Sequence, residues 1–389
     1  MAHRCEASRP ALEKMVTEMH SENDMEPLAT LRKQGQSIWL DYIRRGLITG
    51  GGLKRLITKD GLTGITSNPS LFERAINSSA DYDDDLSRHP HSEPRALYDM
   101  LAISDVSIAA DLLRPVYDES GGVDGLVSLE PPPQSTRDTA GTIREARRLW
   151  LAVNRPNLMI KVVASSDGIP AIEQLIAEGI NVNITLIFSQ RHYEEVAQAY
   201  LRGLVRCSDP ARIASVASFF ISRIDTAVDR ALEANGSAEA LALRGKIAIA
   251  NAKVAYQRFR EIFHDEAFAV LRRRGAHVQR VLWASTGVKN PSYRDVLYVE
   301  ELIGPDTVNT LPPNTLEAFK QHGQVRGATV REGVRQAEEH LGRLAALGID
   351  LDAIAEDLQL DGIDAFAKAY DHVTAALAKK TSSVALSKY

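Results

Sequence analysis

Eight short apolar runs, each separated from the next by a longer stretch with helical spacing, constrain this chain more than any other feature. The runs are "SIWLDYI", "TGITSN", "GLVSLE", "NLMIKVVA", "INVNITLIF", "ASVASFFISRID", "RVLWAST" and "DTVNTLP". Several are continuous instead of alternating, as parallel strands covered on both faces should be. Between them lie helical segments such as "IPAIEQLIAEG" and "QRHYEEVAQAYLRGLVR". In the first, Ile172, Leu175 and Ile176 recur at helical spacing, and Gly179 supplies a stop. Eight β/α alternations predict an α/β chain closed into a single (β/α)8 TIM barrel; a doubly wound open sheet is the rival arrangement. No linker rich in Pro, Gly or Ser divides the 389 residues, so one domain over 1–389 is expected. Residues 1–24 read as a polar leading segment. Residues 331–389 read as a helical tail packed on the barrel, with helices at "VRQAEEHLGRLAALGI" and "IDAFAKAYDHVTAALAKK".

The composition removes several function classes. The formal charge of −5 is spread along the chain, so neither nucleic acid nor a membrane surface is an expected partner. The run Asp83-Asp84-Asp85 reads as a solvated loop. Cys5 and Cys207 belong to no CxxC or Cys/His cluster, which argues against a disulfide scaffold and a cysteine-based zinc site. There is no HExxH and no GxSxG, and "HPH" at 89–91 reads as a loop, so no metal is expected. "GLITGGGLKRL" matches neither GxGxxG nor a phosphate loop and reads as a flexible turn, which excludes a nicotinamide dehydrogenase. The opening "MAHRCEASRPALEK" lacks the apolar core of a signal peptide, and no stretch is long enough to span a bilayer. A cytoplasmic protein, monomeric or homodimeric, is expected.

Within this frame the polar residues at strand ends stand out. Lys161 lies inside "NLMIKVVAS", flanked by Met159, Ile160, Val162 and Val163. A snorkelling lysine on an edge strand is the ordinary explanation, but a closed barrel has no edge. A buried amine with a lowered pKa, able to attack a carbonyl and form a Schiff base, is the functional one. Glu130 closes "GLVSLE" ahead of a proline run, and proton transfers around a Schiff base would employ such a carboxylate. Asp41 in "SIWLDYI" fits an ordinary residue, outward at a strand end or capping a helix, as well as it fits a functional one. Asn68 before Pro69 is ordinary turn chemistry. Asn181, Asn183 and Thr185 recur at spacing two, which puts all three on one face of a strand. Arg223, Ser285 and Lys289, on the candidate sixth and seventh strands, together suit a phosphate, against the alternative of surface ion pairs.

Together, "DGLTGITSNPSLF", "NLMIKVVAS", "GINVNITLIFS", "SFFISRID", "WASTGVKNPSY" and "DTVNTLPPNTL" resemble the transaldolase family, in its longer subgroup, from about residue 26 into the tail. The resemblance implies a cofactor-free transferase of carbohydrate metabolism that moves a dihydroxyacetone unit between sugar phosphates. It implies Lys161 as the Schiff-base lysine, Asp41 as the group handling the C4 hydroxyl proton and Glu130 as a proton shuttle through water, with Thr185 helping to hold that water. It further implies Asn68 and Asn183 on substrate hydroxyls, Ser218 in the pocket wall and Arg223 on phosphate. The chain departs from the family pattern twice, with Lys289 where shorter members carry arginine and "KVVASS" where a "KVPAT"-like segment is usual. A Schiff-base aldolase that releases free dihydroxyacetone and a non-catalytic sugar-phosphate-binding barrel are the alternatives.

Overall fold

The structure, a computed structural model, describes residues 27–67, 69–133 and 138–386. Eight strands follow one another around a closed barrel: β1 (Gln36–Asp41), β2 (Gly64–Thr66), β3 (Leu126–Leu129), β4 (Leu158–Val163), β5 (Val182–Ile187), β6 (Ser215–Phe220), β7 (Arg280–Ala284) and β8 (Thr307–Leu311). Every neighbouring pair is parallel, and β8 pairs with β1. The expected α/β barrel is therefore the observed fold. All eight apolar runs hold a strand, each shorter than its run.

The largest trimming is at "ASVASFFISRID". Strand β6 ends at Phe220, and a helix, Ser222–Asn235, begins two residues later. Ile221 and Ile224 remain buried, so the apolar run continues although the backbone has changed conformation. Asp83–Asp85 is likewise not a loop but the first turn of a helix, Asp83–Arg88. Three carboxylates there suit the positive end of the helix dipole, and Asp85 pairs with Arg45 at 2.7 Å. The glycine-rich stretch narrows to a turn at Gly50–Gly51 between the short helices Arg45–Thr49 and Gly52–Lys59.

Side chains alternate in and out along each strand. One set fills the bore with a separate apolar cluster containing Trp39, Leu126, Met159, Val216, Leu282 and Val308. Two residues further along five of these strands the inward position turns polar, at Asp41, Ser128, Lys161, Ser218 and Thr310. Thr66 on β2 stands in the same way two residues after Gly64. The N-terminal end of the bore is closed by Arg280, which pairs with Asp124 at 2.9 Å and donates to Ser37 Oγ at 2.6 Å. The barrel therefore has a sealed floor, an apolar waist and a polar mouth.

The tail holds the helices Val334–Ala346 and Leu351–Leu386. The second is longer than its sequence pattern indicated, because Gly362 does not interrupt it. It packs on the helices Pro69–Ser78 and Pro94–Glu119 and reaches β5. The leading segment, residues 1–24, lies outside the described residues.

Gly64 faces the Trp39 indole across the β1–β2 pair; a Cβ there would sit 2.4 Å from Trp39 Cε2. Gly64→Ala should lower stability by about 1–3 kcal/mol, the usual range for overpacking. Urea unfolding followed by tryptophan fluorescence measures it, and a midpoint equal to that of the wild type would show that the bore tolerates the added methyl.

Candidate active site

The polar mouth centres on Lys161. Its side chain is 9% exposed, and Nζ donates to the Ser67 carbonyl at 3.2 Å. Glu130 Oε2 stands 3.7 Å from the same nitrogen, an ion-pair distance too long for a hydrogen bond. Glu130 sits one residue past β3 and is itself buried. Glu130 Oε2 and Thr185 Oγ1 are both buried without a hydrogen-bond partner among the described residues. These two atoms and Lys161 belong to residues that line one cavity of about 500 Å³.

Asp41 closes β1 and accepts a hydrogen bond from Thr66 Oγ1 at 2.9 Å. Burial pushes its carboxyl above the ordinary aspartate value, against the opposing pull of Lys161, the Thr66 hydroxyl and Lys289. Burial also raises Glu130; Lys161 pulls it back and the charge of Asp41 adds to the rise. Two carboxyls that resist ionisation thus flank one amine. Behind them Asn183 donates to Ser128 Oγ at 2.9 Å and accepts from Ser218 Oγ at 2.7 Å. The predicted three-residue stripe divides: Asn183 and Thr185 lie in β5, whereas Asn181 precedes it and ties Pro156, Leu158 and Ala214 together at the strand starts.

A second polar corner lies at the ends of β6 and β7. Arg223 is not on a strand but in the first turn of the Ser222–Asn235 helix, because the chain turns at Ile221. That helix start has no side-chain cap. Ser285 follows β7 directly with φ +57°, and its hydroxyl meets Ser222 Oγ at 2.8 Å. Arg223 lies over the Phe220 ring, 5.3 Å from its centroid, with no carboxylate in ion-pair range among the described residues. Burial lowers its pKa from the usual arginine value, and the charge of Asp361 opposes this. Lys289 is exposed, four residues past Ser285. Asn68 lies outside the described residues. Among the described residues no group of His, Cys, Asp or Glu side chains could hold a metal ion.

A model of the family described as Transaldolase/Fructose-6-phosphate aldolase matches residues 38–377. Similar curated proteins include a transaldolase of Thiobacillus denitrificans, 48% identical over 88% of this chain and 96% of its own. Another is transaldolase 1 of Streptomyces coelicolor, 46% identical over 92% of this chain and 95% of its own. The transaldolase of Mycolicibacterium smegmatis is 45% identical over 89% and 95% of the two chains. The chain belongs to the transaldolase family. It is an enzyme, a transferase acting on sugar phosphates. No helix among the described residues is long and apolar enough to cross a membrane.

The transaldolase mouth also employs residues that the sequence did not single out. Thr66 stands on Asp41, and Ser67 offers its carbonyl to Lys161; their place in "TGITSN" was the available clue. Ser222 could be found only through its contact with Ser285. Leu360, Ile363, Asp364, Phe366 and Ala367 of the tail helix line the cavity beside Lys161. Nothing in the tail sequence marks them, since they reach the mouth only by packing.

The raised carboxyl of Asp41 has a consequence for stability. A carboxyl whose folded-state pKa lies above its unfolded value, ordinarily about 3.9, favours the fold fully below the unfolded value. That contribution is lost as pH rises through the folded-state pKa. Asp41→Asn should therefore unfold at a higher temperature than the wild type at pH 7–8, with the gap shrinking as the pH is lowered. Calorimetry across pH 4–8 tests this; a constant or inverted gap would contradict the strained carboxylate.

Proposed function

We propose that Lys161 is the nucleophile of a transaldolase that takes sedoheptulose 7-phosphate or fructose 6-phosphate as donor and glyceraldehyde 3-phosphate or erythrose 4-phosphate as acceptor, as in the non-oxidative pentose phosphate pathway. The supporting observation is the buried Lys161 amine, held by Ser67 O and Glu130, in a cavity that Glu130 and Thr185 also line, with its charge acting on Asp41. Nζ attacks the C2 carbonyl of the ketose to give a carbinolamine. Glu130 moves protons through a water shared with Thr185, water is lost, and the iminium forms. Asp41 takes the proton of the C4 hydroxyl, the C3–C4 bond breaks, and its electrons pass into the iminium as an enamine. The aldose phosphate leaves. A second aldose phosphate is attacked by the enamine, and hydrolysis of the new iminium frees the product and Lys161.

Asn68, Asn183 and Ser218 hold substrate hydroxyls in this reading. Asn183 and Ser218 use part of their capacity on each other, which fixes the direction of the remainder. Arg223, Ser285 and Lys289 bind the phosphate. The start of the Ser222–Asn235 helix supports that assignment: it has no side-chain cap, and although Ser222 N–H already donates to Ser285 O, the helix dipole favours an anion there. Lys289 contributes charge without the bidentate fork of an arginine. A single domain, monomeric or homodimeric, in the cytoplasm fits the continuous barrel and the free, buried Cys207.

Trapping with borohydride separates the two carboxylates. With fructose 6-phosphate, Asp41→Ala should form the iminium but cleave it slowly, leaving a six-carbon adduct on the peptide bearing Lys161. Glu130→Ala should slow the appearance of any adduct. Each loss of rate should be about 10²–10⁴-fold, the range for general acid–base groups. Only a three-carbon adduct with Asp41→Ala, or a normal rate with Glu130→Ala, would reassign the proton carriers. Labelling at a lysine other than Lys161 would remove the central claim.

The phosphate corner is tested separately. Arg223→Ala should raise KM for phosphorylated sugars, with little change for unphosphorylated acceptors such as glyceraldehyde. An equal rise for both would make Arg223 structural.

A further inference from the structure

The Leu351–Leu386 helix sends one buried amide onto the strands that carry the reactive groups. Gln359 is 6% exposed, and its Nε2 donates to Ala164 O at 3.0 Å and to Leu186 O at 2.9 Å. Ala164 comes just after β4, three residues past Lys161. Leu186 is the residue after Thr185. The two strands are joined there by the bond from Ala164 N to Thr185 O at 2.9 Å. Gln359 thus satisfies two carbonyls at the point where the β4–β5 ladder ends.

That point is irregular. Leu186 has φ +60°, an uncommon conformation for a bulky residue. The β5–β6 register pairs Ile184 with Ala217 and then Ile187 with Phe219, so β5 carries one residue more than β6 across the interval. Such a bulge reverses the facing of the residues beyond it. Without it, Ile187 would point the same way as Asn183 and Thr185, into the mouth. With it, Ile187 joins Phe219 in the main apolar core, and the inward polar row of β5 ends at Thr185. A left-handed leucine persists only where its surroundings over-determine it. Here the Gln359 amide holds its carbonyl, and Gly362 lies against its side chain, where a Cβ would come within 2.8 Å of Leu186 Cδ2.

We propose that Gln359 is a positioning residue of this transaldolase: from the tail helix it holds the bulge at Leu186 and thereby aims the Thr185 hydroxyl at the water used by Glu130. This rests on the proposed role of Thr185 in holding that water. Gln359 touches no reacting atom and acts through its neighbours on β5 and β4.

The test is a double-mutant cycle on adduct formation. Gln359→Met keeps the length of the side chain and removes both donors. It should slow borohydride-trappable adduct formation from fructose 6-phosphate by about 10- to 100-fold, the order that a small misplacement of a reacting group costs. KM for the phosphorylated acceptor should stay unchanged, because the Arg223 corner is untouched. In a Thr185→Val background the same substitution should cost less than about twofold, since removing a group makes aiming it irrelevant. Gly362→Ala presses on the same leucine from the other side and carries the same expectation, which keeps the test decisive should Gln359→Met fold poorly. An unchanged adduct rate in Gln359→Met overturns the proposal. So does an equal loss in both backgrounds, because the effect would then bypass Thr185. Thr185→Val with wild-type adduct kinetics would instead overturn the functional reading of Thr185 itself, a result seen before any Gln359 variant is compared.

Discussion

Everything at the mouth of this barrel depends on placing one amine and two carboxyls in a space shielded from bulk water. Lys161 and Glu130 line one cavity, and the charge of Lys161 reaches Asp41. Both carboxyls are held above their ordinary values by burial, with the charge of Lys161 opposing the rise. An exposed trio would be screened and would titrate as in water. In the proposed reaction the amine supplies the nucleophile, and the enclosure strengthens its interaction with the two carboxyls.

The enclosure is built by the interior of the barrel. Arg280, Asp124 and Ser37 seal the floor, and Trp39 with its apolar neighbours fills the waist. Polar side chains two residues further along then have only the mouth to face. Fixed dipoles in this layer substitute for solvent: Thr66 on Asp41, the Ser67 carbonyl on Lys161, and the chain from Ser128 through Asn183 to Ser218. A preorganised set of this kind stabilises charge without reorganising during the reaction. The tail helix completes the wall, and its Gln359 joins the ends of β4 and β5, so a segment distant in sequence becomes part of the site.

Much of this is legible in the chain itself. Eight alternations of apolar runs and helical stretches determined a parallel α/β sheet, because parallel strands buried on both faces need continuous apolar sequence and crossover helices; its closure into a barrel rather than an open sheet is seen in the pairing of β8 with β1. A lysine with apolar residues on both sides determined where to look for chemistry, because such a residue has no solvent to snorkel toward inside a closed sheet. The spacing of Asn183 and Thr185 determined that they face the same way. These are properties of short windows, in which the period of the backbone alone fixes direction.

Tertiary structure decided the rest. The sequence pattern could not show that β6 ends at Phe220 and that Arg223 opens a helix, because the apolar run continues across the turn. Nor could it show that Asp83–Asp85 begins a helix, since only the packing of that turn against Arg45 distinguishes it from a solvated loop. The bulge at Leu186 and the lining of the mouth by Ile363, Asp364 and Phe366 have no local signature either. They depend on a helix about 175 residues further along the chain settling onto β5. What the sequence by itself determined is the periodicity of the elements and the chemistry each can carry. What only the folded molecule decided is which of those groups share one enclosed space, because burial and mutual distance are set by contacts between segments remote in the chain.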